Sequence, residues 1–323
     1  MRAVWLTEFG GPEVLVAGEA PDPVPGPGQV VVDVAYANTT FVETQFRAGG
    51  RGPFAAVPPL VPGNGVGGTV AEVGEGVDGA LLGRRVVTST GGSGGYAERA
   101  LALAADLVAV PDGLALDTAV ALLADGRTAL LQLRAGRVAA GDRVLVLAAA
   151  GGVGGLLVQL AAAAGATVVG AAGGPRKAAV AAALGAKLAV DYREAGWPEL
   201  VRSGTGGLDV VLDGVGGDLA RAAFELLAPG GRMVSYGLAG GSWAAIPPEA
   251  AEDRGVELVA PARPDPVLLR AATAEALAEG AAGRLRPLIG QRFPLERAAE
   301  AHAAIGTRAT TGKTLLVVRE ERN

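Results

Sequence analysis

Gly151, Gly152, Gly154 and Gly155 follow the apolar run Val144–Ala150. Such residues can do one kind of chemistry, which is to hold an anion on backbone amides. A helix opening directly after the turn leaves its first N–H groups unpaired and carries a positive dipole end. A Cβ here would hold a pyrophosphate off the backbone and would keep helix and sheet apart. The spacing is a variant of the dinucleotide fingerprint, with Ala149 where the first glycine would stand, then Gly151 and Gly154. In a chain with 51 glycines the turn means little alone. Its place between a strand and a helix makes it specific.

Other chemistry is thinly supplied. Cysteine is absent and His302 is the one histidine, which excludes a Cys- or His-rich zinc site, disulfides and thiol catalysis. A carboxylate-only magnesium or calcium site stays open, but no loop matches one. His302 lies in the amphipathic stretch Leu295–Ile305 and reads as a partly buried helix residue before it reads as a catalytic one.

The elements that must position the glycine turn are a strand (Arg143–Leu147) and a helix (Val153–Ala164). No charge appears between Arg143 and Arg176, but a membrane span needs about 20 continuous apolar residues in one helix, and the glycine cluster and Gly165 interrupt this one. From Leu116 helical pattern (Leu116–Leu123, then Thr128–Arg134) gives way to alternating strands and helices. Further strands are expected at Thr167–Ala171, Leu188–Val190, Asp209–Leu212, Arg232–Tyr236 and Glu257–Ala260, with helices at Arg176–Leu184, Trp197–Arg202 and Asp218–Leu227. That alternation predicts an α/β fold with a doubly wound parallel sheet. Residues 1 to about 115 instead show short strands (Arg2–Thr7, Gln29–Val34, Gly68–Val73, Arg84–Thr88, Leu107–Val110) and turn signals, which predict a small barrel-like domain. After Pro261 a helix (Pro266–Ala278), a strand-like stretch (Arg284–Ile289), the His302 helix and a last strand (Thr314–Val318) are expected to fold back onto the first domain.

The chain has 323 residues, 50% of them hydrophobic and 19% charged, so two globular domains are the natural expectation. A net charge of −5 without a basic cluster argues against nucleic acid as the main ligand. The first twenty residues carry Glu8, Glu13 and Glu19 and no apolar core, so no signal peptide is read and cytoplasm is the expected location.

Taken in order, Met1–Val4 with Phe9–Leu15, Pro25–Gly28, Val73–Val77, Gly94–Glu98, Ala148–Gly154, Asp191–Arg193, Leu212–Gly217 and Arg308–Thr314 resemble the medium-chain dehydrogenase/reductase superfamily. The likeness is to its zinc-independent quinone oxidoreductase (ζ-crystallin-like) branch and covers nearly the whole chain. It implies a GroES-like β-barrel domain (1–121), a Rossmann NADPH-binding domain (122–261) and a C-terminal segment (262–323) returning to the first, with the active site in the cleft between the domains. It implies cofactor contacts from Ala150, Gly151, Gly152, Val153, Gly154, Gly173, Arg176, Lys177, Tyr192, Gly214, Gly237 and Leu238. An NAD site would need a carboxylate after the second strand, and Ala171–Gly174 holds none. Arg176 and Lys177 follow instead, suited to a 2′-phosphate, so NADPH is the expected cofactor. Thr40, Gln45 and Thr128 match positions near the nicotinamide and acceptor, with helix capping the rival role for Thr128. The family's Asn-Phe-x-Asp-Thr-Tyr reads Thr40-Phe-Val-Glu-Thr-Gln45 here, and Asp125 stands where Gln or Lys is usual.

The expected reaction is hydride transfer to a quinone or to the β-carbon of an α,β-unsaturated carbonyl, with the cofactor carrying the chemistry. Thr40, Gln45 and Thr128 are poor acids, so solvent is the expected proton source. Alcohol dehydrogenation is the rival enzyme reading, and a NADPH-binding sensor, structural or RNA-contact protein the non-enzyme one. A homodimer is expected through the edge strand Glu257–Ala260, with Trp243–Ile246 nearby.

Overall fold

The structure, a computed structural model, describes residues 1–260 and 265–319. The expected boundary at 261/262 lies outside the described residues. The chain divides into two compact units, Met1–Arg127 with Asp265–Asn323, and Thr128–Pro264.

The first unit is built on strands. β1 (Arg2–Leu6) and β2 (Leu15–Glu19) pair antiparallel, and β3 (Gln29–Thr39) leads through helix α1 (Phe41–Gly49) to β4 (Gly65–Val73). β5 (Arg85–Ser89), β6 (Arg99–Leu103) and β7 (Val108–Ala109) follow, and then helix α2 (Leu116–Ala135), within which the division between units falls. The eleven-residue β3 organises this sheet. β4 pairs along one side of it, while on the other Gln29–Asp33 face β6 and Tyr36–Thr39 face a strand from the far end of the chain. Bulges between Val31 and Val32 and between Val34 and Tyr36 let one strand serve both neighbours. Val30, Val31, Val32, Val34 and Ala37 are buried almost completely.

The second unit alternates strictly. It runs β8 (Arg143–Leu147), α3 (Gly152–Ala163), β9 (Thr167–Ala172), α4 (Pro175–Ala183), β10 (Leu188–Asp191), α5 (Trp197–Thr205), β11 (Leu208–Asp213), α6 (Gly217–Phe224), β12 (Leu227–Ser235), α7 (Pro248–Asp253) and β13 (Glu257–Val259). All six strands are parallel, in the order β10-β9-β8-β11-β12-β13. This is the doubly wound Rossmann arrangement, with its switch between β8 and β11. Helices cover such a sheet, so its strands read as continuous apolar runs, as Val144–Leu147 and Val210–Leu212 do, each residue wholly buried.

The tail returns to the first unit. α8 (Pro266–Ala281) precedes β14 (Ile289–Pro294), α9 (Ala298–Gly306) and β15 (Lys313–Val317), and β15 lies between β14 and the second half of β3.

Several expectations are corrected. α2 is one helix of 20 residues, not two, because Gly126 is a packing residue: a Cβ there would stand 2.8 Å from the Ala276 methyl of α8. The expected strand at Arg284–Ile289 is displaced to Ile289–Pro294, where its alternation of half-buried and exposed residues pairs with β15. The helix expected to reach Leu227 ends at Phe224, and Leu227 already belongs to β12. α1, β2 and α7 are additional to the expected elements.

Candidate functional site

β8 ends where Ala148 takes a left-handed conformation (φ 53°), which turns its carbonyl back to accept from the Gly151 amide at 2.8 Å. A Cβ on Gly154 would collide with that same carbonyl, so the close approach of α3 to the strand end requires glycine. The helix N-cap is Gly151, which has no side chain to cap the first turn. Ala149 donates to the Ala171 carbonyl at 3.0 Å and pins the turn to β9. Ala150 is buried, and Gly151, Gly152 and Val153 are half-buried. The result is an anion seat made of backbone alone.

The parallel strands bring four more loops to this same edge of the sheet. After β9, Gly173 and Gly174 lead into α4, with Pro175 and Arg176 exposed and Lys177 half-buried in its first turn. Tyr192 lies against Gly173, where a Cβ would be 3.0 Å from its hydroxyl oxygen. After β11 and β12, Gly214 and Gly237 head two loops joined backbone to backbone. Ala239 donates to the Gly214 carbonyl at 3.1 Å, and Gly240 to that of Val215 at 2.6 Å. Leu238 sits half-buried in the second loop. Beneath them Asp213, wholly buried, accepts from the amides of Val215 and Gly216 at 2.8 Å each and from Ser235 Oγ at 3.0 Å. Burial raises its pKa, and the three donors oppose that rise.

One residue at this edge was not foreseen. The turn after β9 holds no acid of its own, but β10 lies beside β9 with Asp191 opposite Ala172. Asp191 Oδ1 accepts from the Gly174 amide at 2.8 Å and from the Arg193 amide at 3.0 Å. The Arg193 guanidinium chelates the same carboxylate, with each contact at 3.2 Å, and lies over Gly174. The pairing with Arg193 holds the Asp191 carboxyl down at about 2. The signal was available: in a parallel sheet the last residue of one strand stands next to the last residue of its neighbour.

The expected catalytic residues divide between the units. Thr40 and Gln45 belong to the first, and Thr128 begins the second. Thr40 caps α1 in a reciprocal capping box: Glu43 N donates to its hydroxyl at 3.3 Å, and Thr40 N donates to Glu43 Oε2 at 2.6 Å. Gln45 is half-buried on the same helix. Thr128 lies well inside α2, which removes capping as its role. Glu43 is itself buried and also accepts from Asn64 N at 2.8 Å. Desolvation raises its pKa, against those donors and the charge of Lys313. Lys313 on β15 forms a buried ion pair with Asp125 on α2 at 3.0 Å. His302 is 1% exposed, with Nε2 at 2.9 Å from the Tyr96 hydroxyl, and burial drives its pKa down to about 3.

Comparison with known proteins gives the family of the chain. The family described as alcohol dehydrogenase GroES-like domain matches residues 26–112, and that described as zinc-binding dehydrogenase matches residues 184–316. The chain is 36% identical to the 2-haloacrylate reductase of Burkholderia sp, covering 98% of this chain and 99% of that protein. It is 33% identical to the quinone oxidoreductase of Homo sapiens over 98% of each. The structure of Escherichia coli quinone oxidoreductase complexed with NADPH superposes with a TM-score of 0.91 at 29% identity, over 98% of this chain and all of that one.

Proposed function

Because the chain belongs to the medium-chain dehydrogenase/reductase superfamily, in its quinone oxidoreductase branch, we propose that it is an NADPH-dependent, zinc-free oxidoreductase. It transfers hydride to a quinone or to the β-carbon of an α,β-unsaturated carbonyl compound. The observation that carries this reading is the backbone anion seat at Gly151–Gly154, on one sheet edge with the cationic turn at Arg176 and Lys177. The residues present fit the cofactor: a helix start that no side chain caps suits a pyrophosphate, and the cations suit a 2′-phosphate.

In this reading Ala150–Gly154 hold the pyrophosphate. Gly173, Arg176, Lys177 and Tyr192 take the adenosine end, while Gly214, Gly237 and Leu238 back the nicotinamide end. Thr40, Gln45 and Thr128 orient the acceptor. NADPH, when bound, supplies the hydride. The protein supplies position and a polar contact to the acceptor oxygen. The names of the two relatives span the acceptor classes, one an electron-poor alkene and the other a quinone. Metal-free chemistry is supported by the absence of cysteine and by His302 being committed to Tyr96. No helix among the described residues is long and apolar enough to cross a membrane. A homodimer through β13 completes the reading.

NADPH consumption with 9,10-phenanthrenequinone and with a series of enones tests it. Sustained oxidation with either class is the expected result. Tight NADPH binding without turnover on any acceptor would replace the enzyme with a dinucleotide-binding protein.

A further inference from the structure

The β9–α4 turn carries two opposite instruments for reading a ribose. Cations at Arg176 and Lys177 suit a phosphate on the 2′-oxygen, whereas Asp191, reaching over from β10, is the type of acceptor that reads a free 2′-hydroxyl. We propose that Asp191 and Arg193 form an exchangeable pair that lets the turn accept NADH as well as NADPH. This rests on the dinucleotide reading above and extends it to cofactor choice.

The hydrogen bonds make the exchange feasible. Asp191 Oδ1 is fixed by the backbone amides of Gly174 and Arg193, and neither bond involves the guanidinium. Oδ2 faces the guanidinium terminal nitrogen at 3.2 Å. The Asp191 side chain is 11% exposed and that of Arg193 61%, so the carboxylate is held while its partner reaches into solvent. The guanidinium is the solvent-exposed partner, so a ligand group of higher charge can draw it off the carboxylate. With NADPH bound, the guanidinium turns from the carboxylate to the more highly charged 2′-phosphate and joins Arg176 and Lys177. With NADH bound, the 2′-hydroxyl donates to Oδ2 in place of the guanidinium N–H. Oδ1 keeps its two amides in both states, so the turn does not move. A carboxyl of ordinary pKa is already ionised throughout the neutral range, so the acceptor keeps its charge when the guanidinium leaves.

Titration of NADPH and NADH into the wild-type chain, Asp191→Asn and Arg193→Ala, followed by calorimetry, tests the proposal. The wild type is expected to bind both, with affinities within about tenfold of each other. Asp191→Asn weakens NADH about tenfold and strengthens NADPH, because an anion beside the phosphate is gone. Arg193→Ala does the reverse, weakening NADPH about tenfold and strengthening NADH. Opposite movement of the two cofactors is a signature that mere loosening of the turn would not give, since that weakens both. NADPH binding without NADH binding in the wild type, or two variants that shift both cofactors in the same direction, overturns the exchange and leaves the NADPH reading standing. A wild-type chain that binds neither dinucleotide overturns that reading, and the exchange with it.

Discussion

At Gly154 the limiting contact is the Ala148 carbonyl, inside the protein, whereas Gly152 lies in the half-buried first turn of α3. The two glycines therefore fail differently. Gly154→Val is expected to separate helix from strand and cost about 2 kcal/mol or more, seen as a lowered midpoint in urea. Gly152→Asp should leave that midpoint level and weaken NADPH about a hundredfold or more, because it sets a charge in the anion seat. Equal loss of stability in both would remove the seat from the argument. Lys177→Ala is expected to weaken NADPH roughly ten- to a hundredfold and NADH little, with a larger effect when Arg176 is also removed. Equal weakening of the two cofactors would assign the lysine to the pyrophosphate or to folding. His302 gives a pH signature. Its folded pKa of about 3 lies below its usual 6.5, so the native state binds fewer protons than the unfolded chain in that window, and stability falls as pH drops through it. Glu43, with a raised pKa, works the opposite way, losing stability as pH rises above the ordinary carboxyl range. Comparison with His302→Gln isolates the histidine: below about pH 6.5 the wild type should lose about 1.4 kcal/mol per pH unit more than the variant. Parallel slopes would mean that His302 stays neutral in neither state or both.

α2 and β15 are tied by Asp125 and Lys313, both buried. Removing one partner strands a charge, so Asp125→Ala is expected to cost about 3–5 kcal/mol, whereas Asp125→Leu with Lys313→Met should return most of it. Urea midpoints of the three chains decide the matter, and a double variant as weak as the single one would show that the pair is not the unit. Neither residue announces this in the sequence, since a buried pair joining positions 125 and 313 leaves no local pattern. The second unit was legible for the opposite reason. Most of its strands contain a short apolar run and most of its crossover helices are marked by composition, so local pattern and topology agree there, and Arg143–Leu147 is read to the residue. The glycine turn was legible because its backbone is the site. Asp191 was not, because adjacency of strand ends belongs to the sheet and not to the chain, and this acid comes from the third strand of the unit. Nor was the capping of α1 by Thr40, whose likeness to a catalytic position concealed a local helix start.

Taken whole, the parallel sheet brings the residues proposed for the cofactor, between 150 and 238, to one place: every strand delivers its following loop to the same edge. The other limit of that sheet is β13, which pairs with β12, while Leu258 upon it is 37% exposed and Trp243 48%. Light scattering is expected to give twice the chain mass at micromolar concentration, and Leu258→Arg to give the monomer. A wild-type monomer would reject the edge as an interface. The first unit has a different consequence, set by time. Its central strand β3 waits for β15, made from residues 313–317. At a synthesis rate of about 5–20 residues per second, roughly 10–40 seconds pass between the ribosome finishing α2 and finishing β15. The Rossmann unit, uninterrupted in the chain, is complete before then. Late in that interval, once the Rossmann residues have left the ribosome, the nascent chain carries a finished nucleotide fold behind a sheet in which the Tyr36–Thr39 half of the β3 edge has no partner. A ribosome stalled at Gly312, with the Rossmann residues clear of its exit tunnel and β15 not yet made, should therefore hold a chain whose first unit is open to protease and whose second is closed.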